Sequence, residues 1–600
     1  MGRRAASGGS GPVVLGLSCD FHDAAAALLV DGVIVAAIEE ERCSRVKHDA
    51  SLPEAATRQC LEIAALGADE VDHIVFYEKP LAVAARYLAA KQREGPRSAR
   101  SFVRDAPKVF GTNLMIGYRV ARMMARLGAR RPPPLQYIEH HLSHAASAFL
   151  ASPFEHAAVL TVDGIGEWAT ATLGRGSHHH LELLEELRYP DSLGLAYSFV
   201  TAFCGFRPND DEYKLMGLAP YGEPRFAGEL EALLRPSSDG SIAIDARRLG
   251  WYSPRGLASR ELSDAFGGPR RDPAAPLTQR EADLAASVQH LTETAVLGMA
   301  ERAHELTDER LLCMAGGVAL NCVANGRIAR DGPFDELWVQ PAAGDGGGAI
   351  GAALAYWHLE LGHRRSMSSA ADAMSCAFLG PDVDSDDAEA VLRSAGVEFE
   401  VVDDDELMRR VATRLDRGDI VGWFRGRMEF GPRALGHRSL LADPRSNTVR
   451  ERLNAVTKGR EEFRPFAPAV LADRATEWFD LDQSSPYMLV VAPIVADRLL
   501  PLDDEPVEIA DRARVARSEI PACTHVDGSA RVQTVSESTN PDLHALLTAF
   551  DRLTGCPVLL NTSFNRAGEP IVATVEQAVT TARAGQVDLL VVGNCMIERP

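Results

Sequence analysis

His140 and His144 stand four positions apart in His140-His141-Leu142-Ser143-His144, a run that opens an Ala-rich stretch. Residues at i and i+4 share a helix face, so these two imidazoles can converge on one ion. His141 and His144 form a second possible pairing. Spacing alone leaves a metal pair and a packed or surface pair equally open. Carboxylates in Gly-rich turns favour the metal. Asp163, in Val162-Asp163-Gly164, follows a strand pattern, and Asp345, in Gly344-Asp345-Gly346-Gly347-Gly348, sits in a loop before a helix. Two imidazoles with carboxylates suit Fe(II), Mn(II) or Zn(II).

Gly-rich loops before helices can cradle phosphate, because small residues let backbone N–H groups approach the anion. Ala315-Gly316-Gly317-Val318-Ala319-Leu320-Asn321 and Gly344–Gly348 are such loops, though either alone also reads as a plain turn. Neither continues into the Gly-Lys-Ser/Thr of a Walker A motif. Two such loops plus acidic turns resemble the grip of actin-like and sugar-kinase-like folds on ATP.

Arg425, Arg427, Arg433, Arg438, Arg445, Lys458, Arg460 and Arg464 fall within about forty positions. Guanidinium forks match phosphate and carboxylate bidentately, so a subset could line an anion pocket. The alternative is solvation, or pairing with Glu429, Asp443, Glu461 and Glu462. Asn561-Thr562-Ser563-Phe564-Asn565, after a strand pattern, could supply donors there or merely cap a turn. His22, in a polar loop after the first strand pattern, could be a general base or a hydrogen-bonded structural histidine. Lys47-His48-Asp49 is ambiguous in the same way. His178-His179-His180 reads as an exposed loop between strands.

The elements that must position these groups follow from hydrophobic runs. Val13–Ser18, Ala24–Val30 and Val33–Ile38 read as strands, the last two joined by a tight turn at Asp31-Gly32. Ala157–Val162 and Ala169–Leu173 repeat the pattern, each first strand being followed by an Asp-containing turn. This suggests a duplicated domain. Helical patterns cover Pro53–Ala65, Leu114–Leu127 and Asp283–Thr307. Strand–Gly-loop–helix patterns return at Leu311–Arg330 and Leu337–Leu361. A polar stretch, Gly362–Ala373, reads as a linker. Beyond it, strands are expected at Ile420–Phe424, Ala467–Leu471, Met488–Val491, Pro557–Leu560 and Leu589–Val592.

The chain has 600 residues, 63 basic and 84 acidic, for a formal net charge of −21. With 46% hydrophobic and 24% charged residues it is neither disordered, collagen-like nor a coiled coil. Its length exceeds what one core sustains, so at least two domains are expected. Net negative charge argues against broad nucleic-acid or anionic-membrane binding. No signal-peptide pattern follows Met1–Gly11, and no window approaches ~20 apolar residues, so a soluble, cytoplasmic protein is expected. Ten scattered cysteines without a Cys-x-x-Cys pair read as reduced, small buried residues.

Taken together, the motifs resemble the NodU/CmcH family of O-carbamoyltransferases. The carrying residues are Phe21-His22-Asp23-Ala24-Ala25, Glu39–Arg42 with Lys47-His48-Asp49, His140–Ser147, Val162-Asp163-Gly164, and Glu212-Tyr213-Lys214 through Gly222. They continue with Gly316–Asn321, Pro341–Asp345, Glu429–Ser439, Lys458–Phe466, His525–Arg531 and Asn561–Asn565. They run in one order from about residue 13 to the end.

The resemblance implies an α/β and α+β architecture: a duplicated actin-like (ASKHA-type) N-terminal domain and a YrdC-like C-terminal domain. The expected boundaries are a flexible leader at 1–12, the carbamoyl-transfer domain at 13–365, a linker at 366–375 and the adenylate-forming domain at 376–600. The C-terminal domain would combine carbamoyl phosphate and ATP into carbamoyl-adenylate. The N-terminal domain would transfer the carbamoyl group to a hydroxyl of a natural product, which places the protein in secondary metabolism or antibiotic biosynthesis. By motif, His140, His144, Asp163 and Asp345 would hold Fe(II) or another divalent metal, and His22 would act on the acceptor hydroxyl. Lys47, Glu212, Lys214, Gly316, Gly317, Asn321 and Gly344 would line the nucleotide or adenylate site. Arg433, Arg438, Ser439, Lys458, Arg464, Arg531, Asn561, Ser563 and Asn565 would bind carbamoyl phosphate and ATP, with Mg accompanying ATP. The acceptor pocket would come from 78–135 and 225–285. No nucleic-acid or membrane partner is expected, and monomer and homodimer stay open. Two alternatives are a tRNA-modifying carbamoyl-type transferase and a non-catalytic nucleotide-binding actin-like protein.

Overall fold

A computed structural model describes residues 11–95, 99–246, 248–249, 259–366, 372–383, 385–502 and 506–600. Most of the expected leader and residues 367–371 of the expected linker lie outside them. The chain divides into two compact units. The first runs to Glu40 and resumes over His48–Met374; the second joins Glu41–Lys47 to Ser375–Pro600. Among the described residues, no helix is long and apolar enough to cross a membrane, and all ten cysteines are free thiols.

The first unit contains two five-stranded sheets. One holds β1 (Val13–Ser18), β2 (Ala25–Val30), β3 (Val33–Glu39), β4 (His73–Phe76) and β5 (Leu135–Tyr137). The other holds β6 (His156–Val162), β7 (Ala169–Ser177), β8 (His180–Arg188), β9 (Leu311–Ala315) and β10 (Glu336–Val339). The strand orders are β3-β2-β1-β4-β5 and β8-β7-β6-β9-β10. In both, the first three strands are antiparallel neighbours, and the first, fourth and fifth run parallel. The same order and the same directions occur twice, which is the duplicated actin-like α/β arrangement. The apolar runs that made β1 and β6 legible are the central, buried strands.

Duplication also fixes where side chains can meet. Helix His140–Phe149 follows the fifth strand of one sheet, and helix Asp345–Ala355 follows the fifth strand of the other. The two helices pack so closely that a Cβ on Gly351 would strike the Ser143 carbonyl. Asp345 is therefore the first residue of a helix rather than part of a loop. Gly346, Gly347 and Gly348 continue that helix, and Gly348 leaves room for the Tyr77 ring. Helix Gln279–Thr307 begins four residues before the apolar pattern announces it, at a capping box of Thr278 and Glu281.

The second unit is built on a nine-stranded mixed sheet. Its strands are β11 (Glu400–Val401), β12 (Val421–Phe424), β13 (Arg438–Ala442), β14 (Ala467–Leu471), β15 (Val490–Pro493), β16 (Ser529–Val535), β17 (Val558–Ser563), β18 (Leu589–Val592) and β19 (Cys595–Glu598). Their order is β11-β19-β18-β12-β13-β17-β14-β16-β15. The segment Glu41–Lys47 is tied into this unit through Arg42, which donates to the Gly431 carbonyl at 2.7 Å. Arg45 donates to the carbonyls of Ile571 at 2.6 Å and Pro570 at 2.8 Å.

Candidate active site

In the first unit, the loops after equivalent strands converge. The helix after β5 supplies His140 and His144, one turn apart on the same face. The turn after β6 supplies Asp163, and the helix after β10 supplies Asp345. All four are buried, and one ligand-type atom from each lies within 4.8 Å of the others. The Nε2 atoms of His140 and His144 are 3.0 Å apart. His140 Nε2 is 3.2 Å from Asp163 Oδ2, and both Nε2 atoms are 3.7 Å from Asp345 Oδ1.

Each carboxylate is held from behind. The Gly317 N–H donates to Asp163 Oδ1 at 2.7 Å, and the Tyr77 hydroxyl donates to Asp345 Oδ2 at 3.1 Å. The Gly317 amide reaches Asp163 because Gly316 adopts φ +93° and packs against the Val162 carbonyl, where a side chain has no room. Asp163 Oδ2, Asp345 Oδ1 and two imidazole nitrogens are thus turned toward one point. Asp345 Oδ1 is buried without any hydrogen-bond partner. A carboxylate oxygen buried in that way is costly unless a cation meets it. The donor set and its outer supports fit a divalent transition metal.

The charges of this cluster shift its own protonation. Burial opposes ionisation of Asp163, but the hydrogen bond from His140 and the charges of His144 and His140 hold it well below the usual carboxylate range. Burial alone would lower His140; its bond to Asp163 and the charge of Asp345 outweigh this and raise it to about 10. Neighbouring Glu78 is pushed up to about 7 by burial.

His22 sits in the loop after β1, the counterpart in the first sheet of the Asp163 turn in the second. Its Nδ1 is 2.9 Å from Asp23 Oδ2. Burial would lower its affinity for a proton, but Asp345 and Asp23 overcome this and raise it to about 9.

The other expected nucleotide-site residues have partners of their own. Asn321 caps helix Cys322–Asp331 and bonds Gln289. Glu212 accepts from Ser198 Oγ at 2.6 Å and the Asn209 amide at 2.7 Å. Lys214 pairs with Asp211 at 2.9 Å. Gly344 precedes the Asp345 helix, and Lys47 belongs to the second unit.

In the second unit, strand register gathers several expected residues. Ser439 pairs with Ser563 across β13 and β17, and Asn561 pairs with Leu441 and Ala467. Lys458 is buried with its ammonium donating to Ser563 O at 2.6 Å, Ser563 Oγ at 3.1 Å, Asn565 O at 2.9 Å and Asn565 Oδ1 at 2.6 Å. Burial, then the nearby charges of Arg460 and Arg464, holds Lys458 well below the usual lysine range. Asn561 Nδ2 donates to Gln533 Oε1 at 2.7 Å. Arg531 lies two positions from Gln533 on β16, hence on the same face of that strand.

Arg438 is differently employed. It is fully buried, 3.8 Å over the Phe424 ring, and its guanidinium donates to the carbonyls of Arg425, Gly426, His437 and Pro381. Arg464 donates to Glu461 at 3.3 Å, and Arg433 is half-buried in the Gly431–Gly436 turn.

The sequence reasoning gave no role to Asp23, Tyr77 or Glu167, and named Glu429 only as a pairing partner for the arginines and within a motif. Glu167 accepts from the His140 amide at 3.1 Å and the Lys79 amide at 2.8 Å, anchoring the start of the histidine helix. Glu429 Oε1 gathers the amides of Leu435, His437 and Arg438 at 2.8–3.1 Å and so shapes the Gly-rich loop. Tyr77 was reachable by symmetry: it follows β4 as Gly316 follows β9.

This geometry sits in a recognised kind of chain. Residues 13–354 match the family model described as Carbamoyltransferase N-terminus, and residues 412–599 match Carbamoyltransferase C-terminus. The chain belongs to the NodU/CmcH carbamoyltransferase family. Among its relatives, the uncharacterized protein sll1178 of Synechocystis sp. is 47% identical over 98% of this chain and 96% of its own. Nodulation protein NolNO of Sinorhizobium fredii is 38% identical over 96% of this chain and 79% of its own. The 3'-hydroxymethylcephem-O-carbamoyltransferase of Amycolatopsis lactamdurans is 31% identical over 70% of this chain and 72% of its own.

Proposed function

We propose that this enzyme activates carbamoyl phosphate with ATP and delivers the carbamoyl group to a hydroxyl of a small-molecule natural product. Water hydrolyses carbamoyl phosphate to carbamate and phosphate, and the carbamate oxygen attacks the α-phosphorus of ATP, releasing pyrophosphate and forming carbamoyl-adenylate. The acceptor oxygen then attacks the carbamoyl carbon, its proton passes to a base, and AMP departs with the electrons of the broken bond. In this reading 13–365 is the transfer domain, 366–375 the linker and 376–600 a YrdC-like adenylate-forming domain.

Support differs by step. Ser439, Asn561, Ser563 and Arg531 lie on strands of the second unit's sheet, and Lys458, at the end of a helical segment, bonds Ser563 and Asn565, so cations and amides there can offset the charge of two phosphorylated substrates. Magnesium would accompany ATP. His140, His144, Asp163 and Asp345 would hold Fe(II) or another divalent metal, which when bound supplies a Lewis acid and a fixed positive charge. His22, with Nδ1 turned to Asp23, presents Nε2 as the base for the acceptor hydroxyl. The protein would work in the cytoplasm without nucleic acid. The named cephem relative and the nodulation relatives favour a hydroxylated natural product as acceptor.

The observation that carries the reading is the buried tetrad with His22 on the equivalent loop, in a chain whose two halves match carbamoyltransferase. Incubating the protein with ATP, carbamoyl phosphate and a panel of hydroxylated antibiotics and oligosaccharides tests it. The expected result is AMP, pyrophosphate and phosphate together with an acceptor heavier by one carbamoyl group. Turnover to ADP, or no consumption of carbamoyl phosphate, would overturn it.

A further inference from the structure

We propose that Asp23, His48 and Asp210 form a hydrogen-bonded chain that positions His22 and sets how tightly its ring holds the proton exchanged with the acceptor. The inference rests on the transfer reading given above, and extends it to residues outside the tetrad.

Four side chains from three segments of the first unit are joined end to end. His22 Nδ1 is 2.9 Å from Asp23 Oδ2, and Asp23 Oδ1 is 2.7 Å from His48 Nδ1. His48 Nε2 is 2.9 Å from Asp210 Oδ1, and Asp210 Oδ2 accepts from Arg207 Nη1 at 3.0 Å. The backbone is shaped around the chain. Asp20, Asp23 and His48 all adopt left-handed φ, at 77°, 50° and 55°. Residues other than glycine pay for that conformation, and it clusters where surrounding structure enforces it. The enforcement is visible: the Asp20 amide donates to Ala50 O and the Ala24 amide to Asp49 O, both at 2.8 Å. The loop after β1 and the segment after His48 are thereby stitched together.

The chemistry of each link follows from its partners. His48 faces carboxylates at both ring nitrogens, so both nitrogens donate and the ring is an imidazolium. Asp23 is then shared between that fixed cation and His22. Held ionised, it accepts the Nδ1–H of His22 and leaves Nε2 as the basic nitrogen. During transfer, the acceptor O–H bond breaks, its proton goes to His22 Nε2, and the new O–C bond forms as AMP leaves. The charge that appears on His22 is met by Asp23. His48 keeps Asp23 from taking the proton itself, and Asp210, steadied by Arg207, keeps His48 charged. His48, Asp23 and Asp210 are positioning residues; His22 alone would touch the acceptor. The acidic groups acting on His22 besides Asp23 are Asp345 and Asp163.

Diethyl pyrocarbonate labelling of His22, mapped by peptide mass spectrometry on the full-length protein at pH 7, tests this without any acceptor. The reagent attacks only unprotonated imidazole. Asp23→Asn should speed labelling of His22 several-fold, because the carboxylate that holds its proton is gone. His48→Gln should slow it several-fold, because Asp23 then has no competing cation. Side chains that merely brace three loops would give the same sign in both variants, since both would loosen the loops. Equal acceleration in the two variants, or no change in either, would overturn the chain. Failure of the transfer reading would show separately, as absence of carbamoylated product from wild type.

Discussion

The tetrad of the first unit and the arginine-rich loop of the second are both buried charge clusters, and the chain satisfies them to different degrees. Around Arg438, most donors end on oxygens that the chain itself supplies: four carbonyls take the guanidinium Nη atoms, and Glu429 Oε1 takes three amides, while Arg438 Nε and Glu429 Oε2 are left without hydrogen-bond partners. Around His140, His144, Asp163 and Asp345, one potential ligand atom of each residue faces the others, and Asp345 Oδ1 has no hydrogen-bond partner. The difference is one of charge: the arginine loop meets most of its buried cation with carbonyls of the chain, whereas the tetrad gathers two carboxylates and two imidazoles, a set that suits an added cation.

Asp345→Asn should break that contrast most visibly. With a carboxylate ligand replaced by an amide, metal retained through gel filtration and measured by mass spectrometry should fall below stoichiometric, with affinity weakened by roughly 100-fold or more. In chelator-treated protein the same substitution should be neutral or stabilising, since it removes one of two buried like charges. A melting temperature that drops equally with and without chelator would mean that Asp345 is completed by the protein after all.

Arg438→Met should act the other way. It strands four carbonyls and the space over Phe424, so a loss of about 3 kcal/mol or more is expected whether or not any substrate is present. Urea denaturation of the full chain, followed by tryptophan fluorescence, measures it. Addition of ATP or carbamoyl phosphate should not recover the loss. A variant of native stability that has lost only substrate binding would return Arg438 to the pocket.

The contrast also explains what could be seen in the sequence. The i, i+4 histidines and the aspartates after strand patterns are local signals tied to element ends, and the duplicated topology carries element ends to one place. The central strands were legible because burial on both faces makes them apolar runs. The arginine cluster was visible only as composition. Whether an arginine meets a phosphate or a carbonyl depends on a loop folded around Glu429, for which no periodicity exists. The same holds for Asp23 and Asp210, which are distant in sequence and joined through His48. Strand β8, half exposed and rich in glutamates, begins at His180, so the last of the three histidines read as loop belongs to the strand.

The smallest effect separates the two units by the sign of their pH dependence. In the second unit His437 donates Nδ1–H to the Arg427 carbonyl at 2.6 Å and stacks on Phe378 with centroids 3.6 Å apart. Burial, only partly offset by the charge of Glu429, lowers its affinity for a proton below the usual 6.5. The folded state thus keeps His437 neutral where the unfolded chain takes a proton. Its contribution to stability is present above about pH 6.5 and is lost as pH falls from there. His22 behaves inversely. Raised to about 9, it contributes fully below 6.5 and loses that contribution as pH rises toward 9. Urea midpoints from pH 5.5 to 9 should therefore respond oppositely: His437→Gln should flatten the acid side of the profile, and His22→Gln the alkaline side. One group accounts for at most about 1.4 kcal/mol per pH unit. If both substitutions flattened the same side, the two histidines would share one electrostatic environment, and the distinction between an acid-rich centre and an arginine-rich loop would fail.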